Sequence, residues 1–103
     1  MKAIFVYGTL QQTHTQVELV GRSQVGELDS ISNYIVVKDY VDEEDGIAYP
    51  RIVFYPNGIV YGRIHYYTDK EIEVLDKYET EMYIRIDLTT NLGIEAEIYM
   101  PNN

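Results

Sequence analysis

Residues 82–90 place Met82, Ile84, Ile86 and Leu88 at every second position, against Tyr83, Arg85, Asp87 and Thr89. Residues 94–100 repeat the pattern with Ile94, Ala96, Ile98 and Met100. A period of two is the signature of a strand with one buried face. Asn91-Leu92-Gly93 between the two runs supplies the turn chemistry of a hairpin. Two strands with one apolar face cannot form a stable unit alone, so the rest of the chain must supply more sheet and a layer to cover it.

Further strands are readable. Residues 2–7 form an apolar run that stops at Gly8. Residues 22–29, bracketed by Gly21 and Gly26, and residues 34–39 read as two more. Residues 52–55 and 59–67 are rich in β-formers and flank Pro56-Asn57-Gly58, where Asn-Gly predicts a second hairpin. A short helix is expected at about 14–20. The main helix starts at Thr68, with Glu71 three residues on in the capping-box pattern, and runs to about Glu79. The expectation is one α+β domain over residues 1–103, with a sheet that curls around one main helix.

The formal charge of −9, with only eight scattered basic residues, argues against a nucleic acid or an anionic membrane as partner. No run approaches the ~18 apolar residues of a membrane span, and the N-terminus reads as a core strand and not a signal peptide. A cytoplasmic location is the corresponding expectation. The absence of cysteine removes disulfides and thiolate chemistry. Eleven tyrosines, against two phenylalanines and no tryptophan, suit half-buried sheet positions and also polar pockets.

On the main helix Ile72, Leu75, Asp76 and Glu79 fall at i, i+3, i+4 and i+7, on one face. Ile72 and Leu75 mark that face as the core face. Glu79 then either enters a cavity, where burial and the helix C-terminus both raise its pKa, or reaches water where the helix frays. The turn Tyr7-Gly8-Thr9-Leu10 can expose consecutive backbone N–H groups able to hold an anion or oxyanion, or it can be an ordinary turn. Other chemistries have little support. His14 and His65 lack metal-ligand spacing, and Ser23, Ser30 and Ser32 lack a nucleophile's context. Asp42 to Gly46 reads as a solvated acidic turn, because it lacks the ligand spacing of a calcium loop.

Taken in order, Phe5-Val6-Tyr7-Gly8-Thr9-Leu10, Gly21 and Gly26, Tyr49-Pro50, Val60-Tyr61-Gly62, Leu75-Asp76-Lys77-Tyr78-Glu79 with Tyr83-Ile84-Arg85, and the closing strand through Ala96 and Tyr99 resemble the motifs of the γ-glutamylcyclotransferase-like (AIG2-like) family. The resemblance spans nearly the whole chain. It implies a small mixed β-barrel or roll with one main helix, short flanking helices and a central cavity. It also implies Glu79 as catalytic acid/base, a substrate site at Tyr7, Gly8, Thr9 and Leu10 with Tyr83 lining the pocket, and no metal or cofactor. The activity implied is cyclisation of a γ-glutamyl amine or dipeptide to 5-oxoproline. The alternative is a non-enzymatic binding or interaction module that keeps the pocket. Many members carry glycine after the glutamate, whereas Thr80 stands here; the γ-glutamylamine-cleaving branch lacks that glycine too, so the resemblance leans toward it. Gln11-Gln12-Thr13-His14 also departs from the family's continuation of the first motif. Arg85 is expected either to orient the site or to form an exposed cross-strand ion pair, and Asp76, like Glu79, either to face the cavity or to make a local helix-end hydrogen bond.

Overall fold

A computed structural model describes the chain over residues 1–41 and 48–102, without the side chains of 38–41 and 48–50. The acidic turn from Asp42 to Gly46 lies outside those residues. In chain order the elements are β1 (Lys2–Val6), a 3-10 turn (Thr9–Gln11), α1 (Thr13–Val20), β2 (Glu27–Val41), β3 (Ala48–Tyr67), α2 (Asp69–Glu79), β4 (Tyr83–Thr89) and β5 (Glu95–Pro101).

One five-stranded sheet runs in the order β2-β3-β1-β5-β4. Only the β1–β5 pair is parallel, so the sheet is mixed. The alternation at the C-terminus forms the expected hairpin. Ile84, Ile86 and Leu88 lie opposite Met100, Ile98 and Ala96, and Gly93 makes the turn at φ 85°.

The sheet curls into a half-barrel, and polar bonds fasten its far edges. Asn91 N–H donates to the Ser30 carbonyl at 2.9 Å, and Asp29 Oδ1 accepts from Leu92 N–H at 3.2 Å. Inside the curl, Phe5, Ile31, Ile52, Val60, Ile64, Ala96, Ile98 and Met100 form one apolar cluster. The other face of β1 and β5 presents Ile4, Val6 and Tyr99 to Leu10, Ile72 and Leu75 in a second cluster under the helices. β1 alternates between the two cores, which is why residues 2–7 read as an uninterrupted apolar run.

Two expectations about strands are corrected. Residues 22–26 are not in a strand; β2 begins at Glu27 and absorbs the separate run expected at 34–39. Asn57-Gly58 is not a hairpin either. β3 runs unbroken from Ala48 to Tyr67 and pairs with β2 on both sides of it, Ser32 with Ile59 and then Tyr34 with Phe54. The turn chemistry is used locally, with Asn57 at φ 66° and its N–H on Asn33 Oδ1 at 3.1 Å. It makes a bulge, because the long β2 offers both halves of β3 a better partner than they offer each other.

The helices hold to the sheet through their ends. Thr68 and Glu71 form the expected capping box. Glu71 also accepts two hydrogen bonds from Arg22, at 2.9 and 2.7 Å, and these tie the segment after α1 to the start of α2. His65 is fully buried, with Nδ1 2.9 Å from the Tyr67 hydroxyl and Nε2 3.2 Å from the Val25 carbonyl. Burial holds its pKa below the usual value, so it is a neutral packing residue.

Gly62 lets β3 close on β1. A Cβ there would run into the Val6 carbonyl oxygen and stand 2.8 Å from the Phe5 ring. Gly62→Ala is expected to cost about 2 kcal/mol through overpacking, read as a lower urea midpoint. An unchanged midpoint would mean the strands have slack that the structure does not show.

Candidate active site

β1 ends at Val6 and α2 ends at Glu79, and a cavity of about 370 Å³ lies where both run out. Its wall is Phe5, Val6, Tyr7, Gly8, Thr9, Leu10, Tyr78, Glu79, Thr80, Met82, Tyr83 and Tyr99. Every site residue expected from the sequence is in that wall: Glu79, Tyr7, Gly8, Thr9, Leu10 and Tyr83. Sequence reasoning gave no site role to Phe5, Val6, Tyr78, Thr80, Met82 or Tyr99. The tyrosine excess was the available signal, since four of the lining residues are tyrosines.

Glu79 supplies the wall's carboxylate. Of the two readings left open by the sequence, the cavity-facing one holds. Burial raises its pKa to about 7, and among the described residues nothing donates a hydrogen bond to it. Desolvation is the cause. A carboxyl with a pKa near 7 is half ionised at neutral pH and can both take and return a proton. Tyr7 sits close by, with its pKa pushed up first by burial and then by the charges of Glu79 and Tyr83, so it stays a phenol. Its hydroxyl donates to the Tyr99 carbonyl at 2.7 Å, which fixes the ring against β5.

Opposite Glu79 the chain leaves β1 and makes a single 3-10 turn. Gln11 N–H reaches the Gly8 carbonyl at 3.1 Å and Gln12 N–H the Thr9 carbonyl at 3.0 Å. The N–H groups of Gly8, Thr9 and Leu10 precede these bonds and make none among the described residues. A Cβ on Gly8 would meet no protein atom within 4 Å. Thr9 Oγ1 and the Tyr78 hydroxyl lie 2.8 Å apart and bridge the turn to the end of α2.

A polar chain behind the cavity fixes that helix end. Tyr99 donates to Asp76 Oδ1 at 2.6 Å, and Arg85 grips both Asp76 oxygens at 2.9 and 3.2 Å. Arg85 also reaches both oxygens of Glu97, at 3.0 and 2.9 Å. Arg85 therefore forms the cross-strand ion pair, part-buried rather than exposed, and through Asp76 it also ties α2 to β4. Asp76 does not bond locally. Burial pushes its pKa up, but the hydrogen bonds from Arg85 and Tyr99 outweigh that and hold it below the usual value.

Thr80 caps α2 with φ 64° and ψ −171°. A β-branched residue there is strained by about 1–3 kcal/mol, and glycine is not. This explains in physical terms why a glycine suits the position after the glutamate. Among the described residues no group of three or more His, Cys, Asp or Glu side chains is arranged to hold a metal, and no helix is long and apolar enough to cross a membrane.

A family model described as gamma-glutamyl cyclotransferase, AIG2-like, matches residues 4–103. The chain belongs to this family. A protein of Arabidopsis thaliana known from its solution structure is 24% identical with a TM-score of 0.77, over 99% of this chain and 69% of that one. A human protein described as uncharacterized superposes with a TM-score of 0.81 at 16% identity, over 99% and 67%. A structure described as gamma-glutamyl cyclotransferase gives 0.76 at 16% identity, over 99% and 67%. These likenesses establish the AIG2-like fold, and the chain spans about two thirds of the length of those proteins. The curated proteins gave no match.

Proposed function

We propose that the protein is a γ-glutamyl cyclotransferase that converts a γ-glutamyl amine or dipeptide to 5-oxoproline and a free amine or amino acid. The observation that carries this reading is Glu79: a half-buried carboxyl facing the cavity, without a hydrogen-bond donor among the described residues, with a pKa of about 7 in a space that a small folded substrate would fill. Family membership supports a reaction of the cyclotransferase kind.

In this mechanism the substrate binds curled, with its α-ammonium against Glu79. The carboxylate takes one proton, and the freed amine attacks its own γ-carbonyl carbon to close a five-membered ring. The carbonyl oxygen gains negative charge, which the N–H groups of Gly8, Thr9 and Leu10 stabilise, or these hold the substrate carboxylate. The bond to the leaving nitrogen then breaks as Glu79 returns the proton to it. The balance is closed without water: two of the ammonium's hydrogens end on the leaving group when it departs as an ammonium ion. The main gain comes from holding the curled conformer, because attack within one molecule is accelerated strongly by orientation. Tyr7 and Tyr83 shape the apolar walls that enforce it.

The test is 5-oxoproline formation, read by mass spectrometry, from a panel of γ-glutamyl amines and dipeptides. The expected result is release of 5-oxoproline in step with the free amine. Glutamate in its place would mean hydrolysis and would overturn the cyclisation. Binding of the panel without turnover would favour a binding module.

A further inference from the structure

The cavity is graded from a closed end to an open rim. Phe5, Val6, Leu10 and Tyr99 are each 5% exposed or less, whereas Tyr78 and Met82 are 40% and 43% exposed. Thr9 and Thr80 are also on the exposed side. On the proposed reading, on which this inference rests, the glutamyl half is common to all substrates and takes the closed end. The leaving amine is the variable half and must pass the rim beside Glu79.

Thr80 is the rim residue next to Glu79, and it is held in the backbone conformation that its own side chain opposes. Its local bonds do not require a threonine. Its N–H donates to the Asp76 carbonyl at 3.1 Å, and its carbonyl accepts from Tyr83 N–H at 3.5 Å; any residue could make both. The hydroxyl accepts from Met82 N–H at 3.3 Å in an exposed position where water can replace it. A glycine would relieve the backbone and keep the turn. What a glycine cannot supply is bulk at the rim.

We infer that Thr80 determines leaving-group specificity: its side chain narrows the mouth of the cavity beside Glu79 and restricts the departing amine to a slender, unbranched one. Backbone strain is retained at this position in exchange for selectivity.

The experiment compares kcat/KM for γ-glutamyl-methylamide and γ-glutamyl-cyclohexylamide in wild type, Thr80→Gly and Thr80→Ala, with the melting temperature of each. Wild type is expected to favour the methylamide. Both variants should raise the cyclohexyl-to-methyl ratio by about tenfold or more, the scale on which small changes of pocket volume discriminate substrates. Only the glycine variant, freed of strain, should melt higher, by about 4 °C. If both ratios stay at the wild-type value, the inference is wrong whatever the melting temperatures do. If only Thr80→Gly changes the ratio, the backbone and not the side chain sets selectivity, which also overturns it. If wild type turns over neither these amides nor any member of the wider panel, the proposed reaction falls and takes this inference with it; turnover with unchanged ratios removes the inference alone.

Discussion

Glu79→Gln is expected to slow 5-oxoproline formation by ~100-fold or more, the usual contribution of a positioned acid/base, while making the protein more stable at pH 8. Glutamine keeps the shape of the side chain and removes its ability to carry a proton. The gain in stability follows from the burial that makes Glu79 useful. Its pKa is about 7 in the fold, against 4.5 ordinarily. Below pH 4.5 the carboxyl is protonated in both folded and unfolded chains, and its ionisation costs the fold nothing. Between 4.5 and 7 the unfolded chain ionises while the folded chain resists, so stability declines by a total of about 3 kcal/mol and is level above that. The variant escapes this decline. Its urea midpoint should therefore diverge upward from wild type across that window. Equal midpoints from pH 4.5 to 8 would place Glu79 in water and remove the basis of its assigned role.

The same titration should govern rate. The free enzyme needs ionised Glu79 to take the ammonium proton, so kcat/KM should rise with pH through about 7 and level off above it. In the variant the residual rate should lack that limb. A wild-type profile with its acid limb near 4.5 would mean that the titrating base is a solvated carboxylate.

The strands of the closing hairpin were legible in the sequence because their alternation is strict and their turn short; Ile84, Ile86 and Leu88 pair with Met100, Ile98 and Ala96. The capping box of α2 was legible for a similar reason, being a local pattern with a local bond. Asn57-Gly58 misled because the same dipeptide serves a hairpin and a bulge, and only the length of the neighbouring strand separates them. For the site, helix spacing put Glu79 on the core face, but burial could not be decided until β1, its following turn and β5 were in place around it. Tyr78 and Met82 follow no core spacing, so nothing local marked them as rim residues. The conformation of Thr80 was also invisible, since threonine itself gives no hint of a positive φ.

Arg85→Met is expected to reduce kcat by up to about 100-fold with a smaller change in KM, although Arg85 lies outside the cavity wall. Arg85 holds Asp76, three residues before Glu79, and Tyr99 holds it from the other side. Tyr99 in turn gives its carbonyl to the Tyr7 hydroxyl in the wall. The last turn of α2 is thus clamped to β4 and β5, and Glu79 enters the cavity from that turn. A displacement of about 1 Å at the reacting groups is enough for a hundredfold loss. A merely structural ion pair would move the melting temperature only slightly, because partly exposed pairs contribute little energy, and would leave the chemistry alone. The discriminating readout is the pH profile. If the clamp positions Glu79 in its apolar surroundings, loosening it admits water, and the acid limb near pH 7 should move down toward the ordinary carboxylate value. Asp76→Asn should move it the same way, and the double variant should be no worse than the worse single one, since both cut one clamp. Additive losses with an unmoved acid limb would mean that Asp76 and Arg85 only support the fold, and that Glu79 is held in place by the packing of Ile72 and Leu75 alone.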